Sequence, residues 1–180
     1  VDHRNAYMDN HDIEKERGIT VFADQAIMPF QGSTYYLIDT PGHVDFSPEM
    51  ERAIQVMDAA VVVISSVEGV EGHTETVWQL LRRYGVPTFF FLNKIDRTGA
   101  DPERVLEEIR RELTEDICMI SEEDKLHEGV MSSSLSEAVA ERDERLLEQY
   151  IDQGFDAGTW LSAMIEMIQD GRIFPCFSGS

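Results

Sequence analysis

Asp39, Gly42 and His43 lie in the segment DTPGH, which follows the strand-like run YYLI. A carboxylate delivered by a strand to the carboxyl edge of an α/β sheet, here Asp39, can hold Mg²⁺ through water. Gly42 lets a backbone N–H approach a γ-phosphate closely, because no side chain intervenes. His43 can position or polarise an attacking water. A plain turn is the alternative, and it is less favoured because a second polar motif follows a later apolar run.

Asn93, Lys94 and Asp96 form that second motif, NKID, directly after the apolar run FFFL. Asp96 can accept two hydrogen bonds, from the N1–H and the 2-amino group of guanine. Adenine lacks this pair of donors, so it would leave a buried carboxylate unpaired. Lys94 can pack its stem over the base, and Asn93 and Lys94 can tie the base loop to neighbouring loops. The alternative is a helix N-cap with surface charges.

Thr20 and Ser178 lie in two less specific motifs, RGIT and FSGS. Thr20 can offer its hydroxyl to Mg²⁺ and its N–H to the γ-phosphate, in a segment expected to be ordered only when that phosphate is present. RGIT can also simply begin a strand. Ser178 and the backbone N–H groups after it can meet the guanine O6, although a plain turn is the alternative there.

The order of the predicted strands and helices indicates a doubly wound, mostly parallel α/β sheet. The runs ITVFADQAIMPF and STYYLIDT, separated by the turn signal QGS, predict a hairpin. The unbroken apolar runs AAVVVISS and VPTFFFLN predict strands that are buried on both faces of a parallel sheet. RIFPCFS predicts a short last strand.

Helices are predicted between these strands and in a long segment before the last one. The periodicity indicates helices over MERAIQVMDA, GHTETVWQLLRRYG, with Gly85 as its C-cap, and DPERVLEEIRRELTEDI. Residues 118–170 are predicted to be a mostly helical insertion into one domain that spans residues 1–180. Its first part, ISEEDKLHEGVMSSSLSEA, is predicted to be a loop or a strand pair.

Composition narrows the possible partners and compartments. Lys plus Arg total 15 and Asp plus Glu total 35, so the net charge is −20 and this segment is not expected to grasp nucleic acid with a basic face. Cys118 and Cys176 match no metal or redox spacing, which predicts reduced, packed thiols. No run reaches the ~18 apolar residues of a membrane span, and no signal peptide is recognised, so we expect a cytoplasmic protein without membrane contact.

RGIT, DTPGH, NKID and SGS resemble, in order and spacing, the G-domain motifs of translational GTPases, a family that includes elongation factor G and the ribosomal protection proteins of tetracycline resistance. The resemblance implies a P-loop NTPase G-domain fold, GTP and GDP as ligands, Mg²⁺ as cofactor, hydrolysis of GTP to GDP and phosphate, and the ribosome as partner. By it, the motif residues have these roles: Thr20 and Asp39 bind the metal, Gly42 binds the γ-phosphate, His43 is catalytic, and Asn93, Lys94, Asp96 and Ser178 bind the base.

The sequence departs from the family's pattern because it contains no GxxxxGK[ST] phosphate loop. Its three lysines are Lys15, Lys94 and Lys125, and none stands in a Gly-Lys-Ser/Thr context. The chain, which begins with Val, is therefore expected to be a G-domain fragment without its first strand, phosphate loop and helix, and to bind GTP weakly by itself.

Several functional alternatives stay open at this point. A pseudo-GTPase could use the switch surface only to bind proteins, and a guanine-nucleotide switch could act outside translation. Elongation and tetracycline protection are not separated by these residues, although the short insertion is more similar to the tetracycline-resistance branch. The oligomeric state is also open.

Overall fold

The computed structural model describes residues 24–40 and 47–180. The chain divides into two compact units, Val1–Met57 and Asp58–Ser180. No helix in the described segments combines the length and the apolar character that crossing a membrane requires.

The described part of the first unit contains a β-hairpin and a short helix. Strands β1 (Asp24–Phe30) and β2 (Ser33–Asp39) pair antiparallel, as the two runs around QGS predict. Both turn residues, Gln31 and Gly32, have positive φ, 47° and 81°. Such two-residue turns match the right-handed twist of hairpin strands. Helix α1 (Ser47–Ile54) follows.

The second unit is built on a four-stranded, all-parallel sheet. Parallel neighbours need crossover connections, and helices supply them. This architecture confirms the predicted α/β class. The strands are β3 (Ala60–Ser65), β4 (Thr88–Asn93), β5 (Ile117–Met119) and β6 (Phe174–Ser178). Their order in the sheet is β3–β4–β6–β5.

Two crossover helices, α2 (Gly72–Tyr84) and α3 (Pro102–Glu112), follow β3 and β4. Gly85 ends α2, as the sequence predicts, and Asp101 caps the start of α3. Gly85 ends α2 with φ 65°, the left-handed conformation that glycine adopts at helix ends. The Asp101 carboxylate accepts a hydrogen bond from the Arg104 N–H (3.0 Å) at the start of α3.

Aromatic packing joins α2 to the sheet. The Trp78 ring meets Phe174 edge-on at 4.8 Å between centroids, and its centroid lies 5.4 Å from that of Phe90. The Trp78 indole N–H donates to the Leu113 carbonyl (3.0 Å), so its polar atom is satisfied. Trp78 is therefore a core residue, and it holds the helix on one face of the sheet.

The prediction that β3 is buried on both faces is wrong. Val61 and Val63 are 62% and 60% exposed, whereas Val62 and Ile64 are buried. Successive strand side chains point to opposite faces, so only one face of β3 is covered. Among the described strands, β3 lies at the edge of its sheet. An unbroken apolar run therefore did not mean burial on both sides here.

The helix predicted to reach Ile117 ends earlier, and a strand that was not predicted follows it. The N–H groups of Leu113 and Thr114 both donate to the Ile109 carbonyl (2.9 Å each), which closes α3 after Glu112. The next residues form β5, whose Cys118 pairs with Pro175 of β6. Three residues are too few to show a strand periodicity, so their pairing with β6 defines this strand.

The Ser/Glu-rich segment after β5 is a loop with one short 3₁₀ turn as far as Ser132, in agreement with the loop prediction, but its last residues are helical, which was not predicted. A 3₁₀ turn (Leu126–Glu128) is followed by α4 (Ser133–Ala140). The Ser132 hydroxyl caps α4 by accepting a hydrogen bond from the Leu135 N–H (3.3 Å). Leu135 and Val139, four residues apart, are buried on one face of this helix. The serines that suggested a loop therefore act at a helix start.

Helices α5 (Glu144–Gln153) and α6 (Ala157–Gln169) complete the helical region between β5 and β6. The carboxylates of Asp143 and Asp156 cap their N-termini. The three helices surround Trp160, which is fully buried in a cluster that also includes Cys118 of β5. The mostly helical insertion before the last strand is confirmed.

Both cysteines are free and buried, which confirms the prediction of packed thiols. Burial raises the pKa of Cys176 to about 12. Burial likewise raises the pKa of Cys118, against the opposing effect of Arg142. Only the thiolate is nucleophilic, so these cysteines are structural groups at neutral pH.

Candidate functional site

The NKID loop lies at the carboxyl end of β4, where the ends of three strands meet. The Ser66 N–H, just after β3, donates to the Asn93 carbonyl (2.9 Å). On the other side, the Gly179 N–H, just after β6, donates to the Leu92 carbonyl (3.0 Å). The Ile95 N–H donates back to the Gly179 carbonyl (3.5 Å). The loops after β3 and β6 are therefore joined to the NKID loop by backbone hydrogen bonds.

Ser178 is brought beside the NKID loop by the register of β6. It pairs with Leu92 of β4, one residue before Asn93. Gly179 then packs against Phe91, where an added Cβ would lie 2.9 Å from the ring carbon Cζ. A larger residue would push the loop away from β4, so the glycine of FSGS permits this close approach. The structure thus brings together four of the predicted site residues: Asn93, Lys94, Asp96 and Ser178.

The conformation of the loop is fixed at Lys94. Its φ of 63° is left-handed, which costs a non-glycine residue about 1–2 kcal/mol. The Asn93 Oδ1 accepts a hydrogen bond from the Lys94 N–H (2.9 Å), and the Lys94 carbonyl accepts one from the Arg97 N–H (3.2 Å). The Asn93 side chain thus acts within its own loop. Its backbone carbonyl accepts the hydrogen bond that joins this loop to the end of β3.

Asp96 and Ser178 present polar groups that a ligand can reach. Both residues are exposed, and both follow or end strands of the parallel sheet. The carboxyl edge of such a sheet is where α/β proteins bind ligands. A carboxylate, a hydroxyl and a lysine stem around one edge suit a planar base that carries hydrogen-bond donors.

Comparison with known proteins identifies the family. The model of the elongation factor Tu GTP-binding domain matches residues 1–170, which is most of the chain. The chain belongs to this family. The resemblance to translational GTPase G domains, which was inferred from four motifs, is thereby confirmed.

Curated relatives of this G domain include three proteins named elongation factor G. They are elongation factor G of Rhodopirellula baltica (48% identical over 111 residues, 62% of this chain), elongation factor G 1 of Treponema pallidum (49% over 109 residues, 61%) and the mitochondrial elongation factor G of Aedes aegypti (44% over 119 residues, 66%). The matched region is 16% of each relative's length.

A solved structure supports the G-domain fold over nearly the whole chain. A crystal structure of a protein from Thermus thermophilus superposes with a TM-score of 0.82 at 26% identity. The match covers 96% of this chain and 31% of that protein. The predicted fold class is therefore confirmed.

The residues predicted to bind metal and γ-phosphate are only partly described. Asp39 is the last residue of β2 and is exposed. Its carboxylate is an oxygen ligand of the kind that Mg²⁺ prefers, and its role as a metal ligand stays a prediction. Thr20, Gly42 and His43 lie outside the described residues, and their roles stay predictions. Within residues 24–40 and 47–180, no group of three or more His, Cys, Asp or Glu residues could hold a metal ion.

One neighbour of the NKID loop could not be predicted from the sequence. The Lys94 Nζ lies 3.7 Å from the Glu68 Oε2, in the loop between β3 and α2. Nothing in the local sequence VEGVEG points to this contact. The only local hint is the glycine at position 69, a residue type that favours turns. In the structure Gly69 has a φ of 83° and forms a turn directly after Glu68.

Proposed function

We propose that this chain is the GTP-binding and GTP-hydrolysing domain of a translation factor of the elongation factor G type. The observation that carries the proposal is the meeting of the NKID loop with Ser178 at the carboxyl edge of the sheet, in a chain of the elongation factor Tu GTP-binding family. The curated relatives, which are named elongation factor G, favour elongation over tetracycline protection.

Base selection would come from three side chains of this edge. The Asp96 carboxylate would accept hydrogen bonds from the N1–H and the 2-amino group of guanine. The Lys94 stem would cover one face of the base, and Ser178 with the following N–H groups would meet the O6. Guanine alone among the common bases offers two adjacent donors to one carboxylate, so this arrangement would reject ATP.

The hydrolytic part of the site would be formed by the residues of RGIT and DTPGH. Thr20 and Asp39 would hold Mg²⁺, which when bound neutralises charge on the phosphates. The backbone N–H at Gly42 would contact the γ-phosphate, and His43 would place the attacking water in line. Loss of the phosphate on hydrolysis would release the segment around Thr20 and change the surface presented to a partner.

The partner we propose is the ribosome, which places the protein in the cytoplasm and supplies the stimulus for hydrolysis. The net charge of −20 argues that this domain meets ribosomal proteins, or RNA only through its switch loops. Basic contacts to RNA would then be made by other parts of the full-length protein.

Titration of a fluorescent GDP analogue with Mg²⁺ tests this function. The full-length protein should bind the analogue, and GTP but not ATP should displace it. The 180 residues contain no GxxxxGK[ST] loop, so the isolated chain should bind at least about a hundredfold more weakly, because it lacks a backbone cradle for the phosphates. Equal displacement by ATP would refute the guanine site, and micromolar GTP affinity of the isolated chain would refute the proposed weakness.

His43→Ala in the full-length protein should keep GTP affinity but reduce ribosome-stimulated hydrolysis by about a hundredfold, the order of effect expected when one reacting group is misplaced. His43→Gln should retain part of the rate if the side chain orients water through a hydrogen bond. Phosphate release at saturating GTP, with and without ribosomes, measures the effect. Unchanged turnover in His43→Ala would remove this residue from the mechanism.

A pseudo-GTPase that only binds proteins is the second candidate, and the absence of a GxxxxGK[ST] sequence from the 180 residues favours it. It predicts no nucleotide binding even by the full-length protein. The same titration therefore separates the two functions.

A further inference from the structure

Glu68 lies beside Lys94, one of the residues proposed to bind the base. Its Oε2 is 3.7 Å from the Lys94 Nζ, and the two side chains are 50% and 37% exposed. Exposed ion pairs are usually weak, because holding two long side chains in one geometry costs conformational entropy. The stabilisation that this ion pair provides depends on how rigidly the backbones of Glu68 and Lys94 are held.

The backbone on the Lys94 side is specified by its loop. The left-handed φ of 63° is maintained by hydrogen bonds from the Lys94 N–H to Asn93 and from the Arg97 N–H to the Lys94 carbonyl. A flexible loop would relax to a more favourable φ. The Lys94 stem therefore starts from a fixed point beside Asp96.

The backbone on the Glu68 side is held by a tight turn that begins at Ser65. The Ser65 hydroxyl accepts hydrogen bonds from the N–H groups of Val67 and Glu68 (3.3 Å each), and its carbonyl accepts one from the Gly69 N–H (2.9 Å). The Ser66 carbonyl accepts a further bond from the Asp101 N–H (2.8 Å). These bonds fix the position of the Glu68 backbone.

Side chains of helix α3 also form hydrogen bonds with the backbone of this turn. Arg104 donates from Nη2 to the Val67 carbonyl (2.9 Å), and the Glu108 Oε2 accepts from the Val70 N–H (3.2 Å). Arg104 and Glu108 also pair with each other. Gly69 packs so closely that an added Cβ would collide with the Glu108 carboxylate. Glu68 is thus presented by a turn that is bonded at both ends.

We propose that Glu68 is a positioning residue for Lys94, and that it holds the ammonium group so that the lysine stem stays extended across the guanine site. This inference rests on the proposed guanine-nucleotide function. Both backbones are fixed before the ligand arrives, so forming the ion pair costs little additional conformational entropy. The bound nucleotide is then released more slowly than from a site whose lysine is free to swing into solvent.

Glu68→Gln removes the charge and keeps the size of the side chain. In the full-length protein it should weaken binding of a fluorescent GDP analogue about two- to fivefold, the range expected for one exposed ion pair, mainly through faster release. The loss should shrink at high salt, because exposed charges are screened there. In a Lys94→Met background, which keeps the stem but removes the ammonium, Glu68→Gln should have no further effect.

Glu128→Gln is the matched control. Glu128 pairs with Lys125 at 3.9 Å and is similarly exposed, but it lies in the 3₁₀ turn after β5. The Glu128→Gln substitution should leave the affinity for GDP unchanged. If Glu68→Gln behaves like this control, binds GDP more tightly, or loses as much affinity in the Lys94→Met background, the inference is wrong while the proposed function stands. If the wild-type protein binds no GDP, both are wrong.

Discussion

Asp96→Asn should weaken GDP binding about 10²- to 10⁴-fold and make xanthosine diphosphate the better ligand. The Asp96 carboxylate offers two acceptor oxygens to the two donors of guanine, whereas an amide offers one acceptor and one donor. The amide donor would face the 2-amino group of guanine, so one bond is lost and two donors meet. The remaining bond, from N1–H, is no longer made to a charged acceptor, so both bonds are weakened or lost. Each hydrogen bond to a charged group contributes about 1.5–3 kcal/mol, and two of them together, about 3–6 kcal/mol, give the 10²- to 10⁴-fold range.

Xanthine reverses this loss because it carries a carbonyl oxygen in place of the 2-amino group. The amide N–H of the variant can donate to that oxygen, while the amide oxygen accepts from N1–H. Competition of both diphosphates against a fluorescent GDP analogue, in the full-length protein, measures the exchange of preference. Asp152→Asn makes the same substitution on the exposed side of α5 and should change neither affinity. A variant that still prefers GDP would show that another group selects the base.

The position of the NKID loop could be predicted from sequence because its information is local. Asn93, Lys94 and Asp96 follow an apolar run directly, and strand ends in a parallel sheet share one edge. To place Ser178 near this loop, the prediction needed only one further strand in the same sheet. Glu68 could not be found in this way, because its position depends on α3. Arg104 and Glu108 form hydrogen bonds with the loop of Glu68, although they lie far from it in sequence, and a short sequence motif contains no information about such contacts.

The errors in the predicted fold have a common cause. β5 is defined by its pairing with β6 and not by its own pattern, and α4 is defined by the Ser132 cap and by burial among other helices. The exposed valines of β3 show the reverse case, since an apolar side chain does not establish what covers it. Tertiary contacts decided each of these elements, and a single sequence contains no direct record of them.

Trp160→Ala should lower the free energy of unfolding by about 3–5 kcal/mol, the usual cost of removing a fully buried aromatic side chain. The Trp160 ring has no exposed surface and packs against Tyr150 and Phe155, with centroids 6.0 and 5.3 Å away. Its indole N–H donates to the Ser136 carbonyl (3.0 Å), so the alanine variant also loses this buried hydrogen bond. The stability of the Trp160→Phe variant should lie between those of the wild-type protein and of Trp160→Ala, because phenylalanine fills most of the cavity.

Urea unfolding followed by far-UV circular dichroism measures this loss. Ile165→Ala on the same helix is the control, because Ile165 is 54% exposed and its removal should cost about 0.5 kcal/mol or less. An effect of Trp160→Ala as small as that of Ile165→Ala would contradict the packing around Trp160.

Trp78 allows a second readout in the Trp160→Ala variant, because the sequence has only these two tryptophans. In that variant, fluorescence reports the sheet core through Trp78, whereas circular dichroism is dominated by the helices. The helical cluster includes Cys118 of β5 and Ile173 just before β6, so it shares residues with the sheet. We therefore expect the two signals to change together. Loss of helix at lower urea than the Trp78 transition would instead show that the insertion unfolds as a separate unit, and that its link through β5 is weak.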